Sequence, residues 1–264
     1  MAIIQASFMS EVLERQVGFT AIIPADNVRL AGPGAGNAAS DEPMPTLYLL
    51  SGYSGSGLFW LYNYPVASLS SANRLAIIMP DAENHFYTDD DTFGYGWGKF
   101  IGRELVEYTR KIFPLSHKRE DTIIGGFSMG GFGALLNGLT YRETFGHIVA
   151  VSCALLTEGA QQGPNGSDNP FFRGIFGDPA KVVGSHHDPR AAAAAALKEG
   201  NAPDLYMAVG YSDFLRQLNL SCVNYLKEIG YQPFLFEEGE GGHDNKFCED
   251  HVFRGVCRAL GKEE

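Results

Sequence analysis

The sequence lacks the features that would place this protein in or across a membrane. No apolar stretch reaches the roughly 18 residues that a spanning helix requires. Residues 1–8 contain no basic segment and no long apolar segment, so we expect no secretory signal peptide. These two absences lead us to expect a cytoplasmic protein with no membrane partner.

Positive charge is also scarce. The chain has 20 Lys and Arg residues against 31 Asp and Glu residues, which gives a formal net charge of −11. This excess of negative charge disfavours nucleic acids and anionic membrane surfaces as partners, because both are polyanions. The charge does not select a substrate.

Paired cysteines are absent. The four cysteines are Cys153, Cys222, Cys248 and Cys257, and none of them forms a C-x-x-C pair. Zinc ribbons and dithiol redox motifs use such pairs, so neither is indicated. We expect buried free thiols, no metal site and no cofactor.

What the sequence does have is a regular alternation of apolar runs and helical patterns. A content of 45% hydrophobic and 19% charged residues fits one globular α/β domain over residues 1–264. Strands that alternate with helices predict a mostly parallel central sheet with helices on both faces. The predicted strands are 15–24, 46–50, 74–79, 122–127, 147–152, 205–209 and 232–236; the predicted helices are 99–113, 214–229 and 245–260.

Two segments interrupt this alternation. Residues 26–45 are rich in Gly, Ala, Pro and Asn, which predicts a loop between early strands. Residues 153–200 combine a Gly, Pro and Asn segment with a run of alanines. We interpret them as a small cap-like insertion over the site, made of loop and short helices.

The pentapeptide Gly126-Phe127-Ser128-Met129-Gly130 has the pattern G-x-S-x-G. An apolar run precedes it and a plausible helix start follows it, so the serine lies on a predicted strand-to-helix turn. Glycines allow such a turn to close, and the helix N-terminus favours developing negative charge. The context predicts the nucleophile elbow of an α/β-hydrolase; a glycine-rich turn with an incidental serine is the alternative.

Candidate partners for Ser128 follow later strands, where ligands bind in open α/β sheets. Asp213 comes after strand 205–209, and His243 lies in a glycine-rich loop between strand 232–236 and the last helix. The chain order Ser, Asp, His is that of α/β-hydrolases. The alternatives are a helix-capping aspartate and a surface-loop histidine.

An oxyanion hole requires two backbone N–H groups. The residue after the nucleophile, Met129, is one candidate donor. The other is Tyr53, in the glycine-rich segment that follows strand 46–50. An ordinary Gly/Ser turn is the alternative interpretation of that segment. Gly52 of the same segment is a candidate substrate-binding residue.

Three further patterns have competing interpretations. The histidine pair in His186-His187-Asp188 and the run Asp89-Asp90-Asp91 could each hold a cation, but solvated loops are favoured for both. Gly94-Tyr95-Gly96-Trp97-Gly98 could wall a substrate pocket, with Trp97 as the contact residue, or form a packed loop. These last two interpretations are equally supported.

The chain resembles the esterase D group of α/β-hydrolases, which includes S-formylglutathione hydrolases, feruloyl and acetyl esterases and mycolyltransferases, and it is most similar to bacterial tributyrin esterases. The resemblance covers nearly the whole chain. Its motifs are Leu47-Tyr48-Leu49-Leu50-Ser51-Gly52, Met79-Pro80, Tyr87-Thr88-Asp89, Phe113-Pro114, Gly126-Phe127-Ser128-Met129-Gly130-Gly131, Gly210-Tyr211-Ser212-Asp213-Phe214-Leu215 and Gly242-His243-Asp244.

The resemblance implies a triad of Ser128, Asp213 and His243, oxyanion donors at Tyr53 and Met129, and hydrolysis of short acyl esters without a cofactor. Tributyrin esterases usually have His-Gly where this chain has Ser51-Gly52. Formylglutathione hydrolases have Ser-Gly at that position, as this chain does. We therefore expect a serine carboxylesterase whose partner is a small acyl ester, including acetylated sugars. The alternatives are a formylglutathione-type thioesterase and a non-catalytic binding protein; a homo-oligomer is left open.

Overall fold

The structure is a computed structural model that describes residues 1–25, 42–90, 92, 94–156 and 170–262. Within these ranges the strands form one eight-stranded sheet in the order β1-β2-β4-β3-β5-β6-β7-β8. The strands are β1 Ala2–Ser10, β2 Arg15–Ile23, β3 Thr46–Leu50, β4 Ala76–Pro80, β5 Thr122–Phe127, β6 His147–Val151, β7 Asp204–Gly210 and β8 Phe234–Gly239.

Helices connect the parallel strands and cover the sheet. They are α1 Gly57–Asn63, α2 Val66–Asn73, α3 Trp97–Lys99, α4 Leu105–Ile112, α5 Met129–Thr140, α6 Pro170–Phe176, α7 Pro189–Glu199, α8 Arg216–Glu228 and α9 Asn245–Ala259. A π-helical stretch, Phe100–Glu104, joins α3 to α4. No helix of the described ranges is long and apolar enough to cross a membrane.

The sheet is parallel from β4 to β8 and antiparallel at the β1–β2 and β2–β4 pairings. This arrangement confirms the predicted α/β fold with a mostly parallel sheet. In the centre, Leu50 of β3 lies opposite Gly126 of β5, so the carboxyl ends of these strands are adjacent. Loops that follow them therefore meet at one edge, where parallel α/β sheets bind ligands.

Alternate residues of each central strand belong to two separate cores. Tyr48 and Leu50 of β3 pack under α4, α5, α7 and α8, whereas Leu47 and Leu49 pack under α1, α2 and α9. All four side chains are fully buried. Strands buried on both faces appear in the sequence as continuous apolar runs. The predicted bounds of β3 and β5 therefore agree with the structure.

Other predicted bounds shift for local reasons. The strand predicted from residue 74 begins at Ala76, because Arg74 adopts a left-handed conformation (φ 52°) that ends α2. The strand predicted over 232–236 occupies Phe234–Gly239. The edge strand β1 and helices α1 and α2 were not predicted. Residues 26–41 of the expected early loop, and residues 157–169 of the expected insertion, lie outside the described residues.

The same substitution should change stability very differently in a central strand and in the edge strand of the sheet. Ile124 of β5 is fully buried in the core, whereas Ile3 on edge strand β1 is half exposed. We expect Ile124→Ala to lower the free energy of unfolding by about 2–5 kcal/mol, and Ile3→Ala to change it by less than about 0.5 kcal/mol. Urea denaturation followed by circular dichroism measures both; equal losses would contradict this assignment of the core.

Candidate active site

Ser128 sits between β5 and α5 in a backbone conformation that residues with side chains seldom adopt, with φ 59° and ψ −118°. Such strain costs on the order of 1–3 kcal/mol and persists only where the surroundings enforce it. Here the Ser128 N–H donates to the Val151 carbonyl at 3.0 Å. The Ser128 carbonyl accepts from the N–H groups of Phe132 and Ala154, each at 3.0 Å.

The glycines around Ser128 are required by close backbone contacts. A Cβ atom at Gly126 would lie 2.4 Å from the carbonyl oxygen of Gly130. A Cβ atom at Gly130 would lie 2.2 Å from the Leu50 carbonyl oxygen, and one at Gly131 would lie 2.6 Å from that of Val151. Because these neighbours are backbone atoms, no side chain can be accommodated by a rotamer change. The G-x-S-x-G-G pattern is therefore a packing requirement.

The structure brings Ser128, Asp213 and His243 together. His243 Nε2 lies 2.9 Å from Ser128 Oγ, although the two residues are 115 positions apart in the chain. On the other side of the ring, His243 Nδ1 lies 3.0 Å from Asp213 Oδ2 and 3.2 Å from Oδ1. Asp213 follows β7 and His243 follows β8, as the sequence predicted.

Backbone hydrogen bonds join the loop that carries Asp213 to the loop that carries His243. The Tyr211 N–H donates to the Gly239 carbonyl at 2.8 Å, and the Ser212 N–H donates to the Gly241 carbonyl at 2.9 Å. The two loops leave adjacent strands and continue the sheet pairing beyond its end. The distance between Asp213 and His243 is consequently fixed by the main chain.

Two aromatic rings pack against the imidazole of His243. The Phe127 ring centroid lies 4.5 Å away and that of Phe214 lies 4.6 Å away. Phe214 is 76% exposed, which is unusual for so large an apolar side chain. The sequence analysis missed both rings, although each adjoins a residue that it selected: Phe127 precedes Ser128, and Phe214 follows Asp213.

The surroundings of the Asp213 carboxylate favour its ionised form. Burial by itself raises the pKa of Asp213, but the hydrogen bonds with His243 and from the Leu215 N–H more than offset it. The result is a pKa below the usual aspartate range. Its Oδ1 accepts from the Leu215 N–H at 2.8 Å, in the turn that precedes α8. The N-cap of α8 is Leu215 and receives no side-chain cap hydrogen bond, so Asp213 is not the helix cap.

The segment after β3 lies directly against Ser128. A Cβ atom at Gly52 would be 3.5 Å from the Ser128 Cβ. A tight turn follows, in which the Gly55 N–H donates to the Gly52 carbonyl at 3.0 Å. Among the hydrogen bonds of the described residues, none uses the N–H of Tyr53 or of Met129. Both amides are thus available to a ligand.

Trp97 does not join this group. Its side chain is 1% exposed, its ring stacks on His85 at 5.4 Å, and it meets Phe100 edge-on. Of the two interpretations of the Gly94–Gly98 segment, the packed loop describes Trp97 better. Tyr95, in contrast, is 42% exposed.

Two loops that were expected to be solvated contain buried polar residues. His187 is fully buried, with Nδ1 2.8 Å from Thr88 Oγ1, and Asp188 is 3% exposed and caps α7 through the Arg190 N–H. Asp90 is 6% exposed. The expectation of solvated loops was therefore wrong for these residues. For His187 the reason is its contact with Thr88 of a distant segment, which polar composition does not reveal.

Metal-binding clusters are not formed by the described residues: no group of three or more His, Cys, Asp or Glu side chains there could hold a metal ion. Asp91 of the aspartate run lies outside the described residues. The four cysteines are free, and Cys153, Cys222 and Cys248 are buried, as expected.

Comparisons with known proteins find a family and relatives that match most of the chain. Residues 27–258 match the model of the Esterase family. An acetyl esterase of Caldicellulosiruptor saccharolyticus is 38% identical over 258 residues, which cover 96% of each chain. Two solved structures of Staphylococcus aureus, each 28% identical and 98% covered on both sides, are similar in fold: FphF, a fluorophosphonate-binding serine hydrolase (TM-score 0.84), and the S-formylglutathione hydrolase FrmB (TM-score 0.82).

Fold and relatives define the class: the protein is a carboxylic ester hydrolase with the α/β-hydrolase fold. The chain belongs to the Esterase family. The predicted resemblance to the esterase D and S-formylglutathione hydrolase group is confirmed by these relatives. The alternative of a non-catalytic binding protein is set aside by the same comparisons.

The lowered pKa of Asp213 predicts how stability depends on pH. The native state keeps this carboxylate ionised at pH values where the unfolded chain, with an aspartate pKa of about 3.9, already takes up a proton. Its contribution is therefore fully present above that pH and is lost as the pH falls through the lower native pKa. We expect the difference in unfolding free energy between wild type and Asp213→Asn to be constant above about pH 5 and to narrow as the pH falls below that value.

Urea titrations of the two proteins at each pH measure this difference. All other carboxylates are shared by the two proteins, so their protonation affects both alike and cancels. A difference that stays constant over the whole range would contradict the lowered pKa of Asp213.

Proposed function

We propose that this protein is a serine carboxylesterase that hydrolyses short-chain acyl esters of small molecules, acetyl to butyryl, with Ser128, His243 and Asp213 as its catalytic triad. One observation carries the proposal: His243 is within hydrogen-bonding distance of Ser128 Oγ at 2.9 Å and of Asp213 at 3.0 Å. A nucleophile, a base and a group that orients the base are the components of this chemistry.

In the first half-reaction, His243 Nε2 removes the proton from Ser128 Oγ as the oxygen attacks the ester carbonyl carbon. Asp213 accepts a hydrogen bond from the Nδ1–H and stabilises the imidazolium that forms. The C–O bond to the alcohol then breaks, and His243 returns its proton to the leaving alkoxide. The alcohol departs and the acyl group remains on Ser128.

In the second half-reaction, water attacks the acyl-enzyme while His243 again acts as the base. Collapse of the second tetrahedral intermediate releases the carboxylic acid and restores the Ser128 hydroxyl. One ester and one water give one acid and one alcohol, so no cofactor is needed. The strained backbone of Ser128 keeps the hydroxyl at the helix N-terminus throughout.

The negative oxygen of both intermediates is stabilised by the N–H groups of Tyr53 and Met129. Met129 is the first residue of α5, where the helix dipole adds to the N–H donor. Gly52 places the loop of Tyr53 beside Ser128, since a Cβ atom at Gly52 would lie 3.5 Å from the Ser128 Cβ, at van der Waals contact. An ester carbonyl seated between the loop and the helix therefore meets a donor from each.

The surroundings of Tyr53 support a small, apolar acyl group. The Tyr53 ring lies 6.3 Å from the ring of Phe86 and 6.3 Å from that of Phe171 in α6. Helix α6 belongs to the segment 153–200, which we propose covers the site as an insertion. Aromatic walls favour apolar groups and offer no charged partner for an anionic substrate. The acetyl esterase relative is consistent with a short acyl chain.

Replacing the nucleophile tests this proposal. We expect Ser128→Ala to lower kcat for p-nitrophenyl acetate and butyrate by on the order of 10⁶-fold, and to abolish labelling by a fluorophosphonate probe. Ser70→Ala is the matched control, because Ser70 is fully buried on α2 and its hydroxyl donates to the Leu75 carbonyl. Unchanged turnover in Ser128→Ala would overturn the assignment.

A thioesterase of the S-formylglutathione type is the second candidate, favoured by the 28% identity to FrmB. The two functions differ in the leaving group and use the same triad. We expect kcat/KM for acetyl and butyryl esters to exceed that for S-formylglutathione at matched concentrations. The reverse order would make the thioester the preferred substrate and would leave the triad assignment intact.

A further inference from the structure

Tyr87 belongs to a motif that the proposed mechanism does not use, Tyr87-Thr88-Asp89. The residue lies in the loop after β4, and its side chain is fully buried. Burial raises the pKa of the Tyr87 hydroxyl, so it remains a protonated donor throughout the working range of an esterase. A buried tyrosine hydroxyl requires a partner, and the partners of this one lie beside the active site.

The Tyr87 hydroxyl bonds to the first residue of the loop that carries Tyr53. It donates to the Ser51 carbonyl at 2.9 Å and lies 3.1 Å from the Ser51 hydroxyl. Ser51 is 1% exposed, so water does not replace this contact. Gly52 and Tyr53 follow directly, and the position of the Tyr53 N–H depends on where the Ser51 carbonyl is held.

The main chain and ring of Tyr87 are bound to helix α5. The Tyr87 carbonyl accepts from Asn137 Nδ2 at 2.8 Å. The ring occupies the space above Gly133, where a Cβ atom would lie 2.5 Å from the ring Cδ2. Helix α5 begins at Met129, the second candidate donor of the oxyanion hole. Tyr87 therefore contacts both structures that supply an oxyanion donor.

The backbone of Tyr87 is strained in a way that the rest of the loop enforces. Phe86 and Tyr87 are consecutive residues with φ 55°, in the left-handed region that aromatic residues avoid. Each such residue costs on the order of 1–3 kcal/mol. Strain of this kind persists where a particular side-chain placement is needed, and here it turns the hydroxyl toward Ser51.

We propose that Tyr87 is a positioning residue that fixes the separation between the Tyr53 and Met129 N–H groups by bridging the Ser51 carbonyl to helix α5. The inference rests on the proposed function, since it concerns the oxyanion hole of that reaction. Without the hydroxyl, the Ser51 carbonyl loses its buried donor and the loop relaxes relative to the helix. The N–H groups of Tyr53 and Met129 can then no longer both donate to one oxygen atom.

Tyr87→Phe tests the inference, because it removes the hydroxyl and leaves the ring on Gly133. Outright removal of an oxyanion donor costs about 10²–10³-fold in kcat, so a misplaced donor should cost about 10- to 100-fold. We expect KM for p-nitrophenyl acetate to change by less than about twofold. The Ki of a trifluoromethyl ketone, which forms an oxyanion on the enzyme, should rise by the same factor as KM/kcat.

Tyr48→Phe is the matched control. Tyr48 is fully buried on β3, and its hydroxyl bonds to Thr109 Oγ1 at 2.8 Å, away from the Ser51 carbonyl. This variant deletes the same atom from the same core, so a loss of activity through stability alone would appear in both proteins. We expect its kcat and Ki to stay within about twofold of wild type.

Rates are expressed per active site, counted with a fluorophosphonate probe, so that partial folding does not distort them. Ser51→Ala supplies a second variant: it removes one of the two contacts of Tyr87 and should lose less activity than Tyr87→Phe. A wild-type kcat and Ki in Tyr87→Phe, or an equal loss in Tyr48→Phe, would overturn the positioning role. Activity that survives in Ser128→Ala would instead overturn the proposed function itself.

Discussion

The site depends on one close approach of backbone to backbone, where the first turn of α5 meets the carboxyl ends of β3 and β6. The contact is so tight that a single methyl group at Gly130 would overlap the Leu50 carbonyl oxygen at 2.2 Å. Moving the helix outward to relieve it would carry Ser128 away from its partners. The hydrogen bond from the Ser128 N–H to the Val151 carbonyl holds the helix start in place. The strain at the nucleophile is therefore maintained by the sheet.

The proposed acid and base are organised separately from the proposed nucleophile, Ser128. Asp213 and His243 lie on loops that are hydrogen-bonded to each other, so their spacing depends on β7 and β8 alone. The rings of Phe127 and Phe214 both pack against the imidazole of His243. Phe127 precedes Ser128 and Phe214 follows Asp213, so each ring adjoins one of the two residues that His243 contacts.

The sequence alone predicted the place in the fold of those residues that lie in a recognisable local pattern. Ser128 lies in a glycine pattern that backbone contacts require, and Asp213 and His243 each follow an apolar strand. The fold followed from the same apolar runs, because strands buried on both faces leave no other interpretation. Edge strand β1 was missed because its exposed face carries apolar side chains such as Ile3 and Met9, so its sequence lacks a clear alternation of apolar and polar residues.

What the sequence could not supply are the contacts between distant segments. Tyr87 and Ser51 are 36 positions apart, and nothing in either motif indicates that a hydroxyl of one meets a carbonyl of the other. His187 was assigned to solvent for the same reason, although Thr88 lies 2.8 Å from its ring. Trp97 fitted a pocket wall and a packed loop equally, and only its burial separates the two.

The order of the strands also has a consequence for biosynthesis. Ser128 and its glycine turn belong to the first half of the chain, whereas Asp213 and His243 come from the last two strands, at the edge of the sheet. A nascent chain that has not yet released β8 from the ribosome contains Ser128 but not a folded His243, whose ring lies 2.9 Å from the serine in the complete protein. With the proposed triad, Ser128 therefore has no base until the final strand and helix have been synthesised.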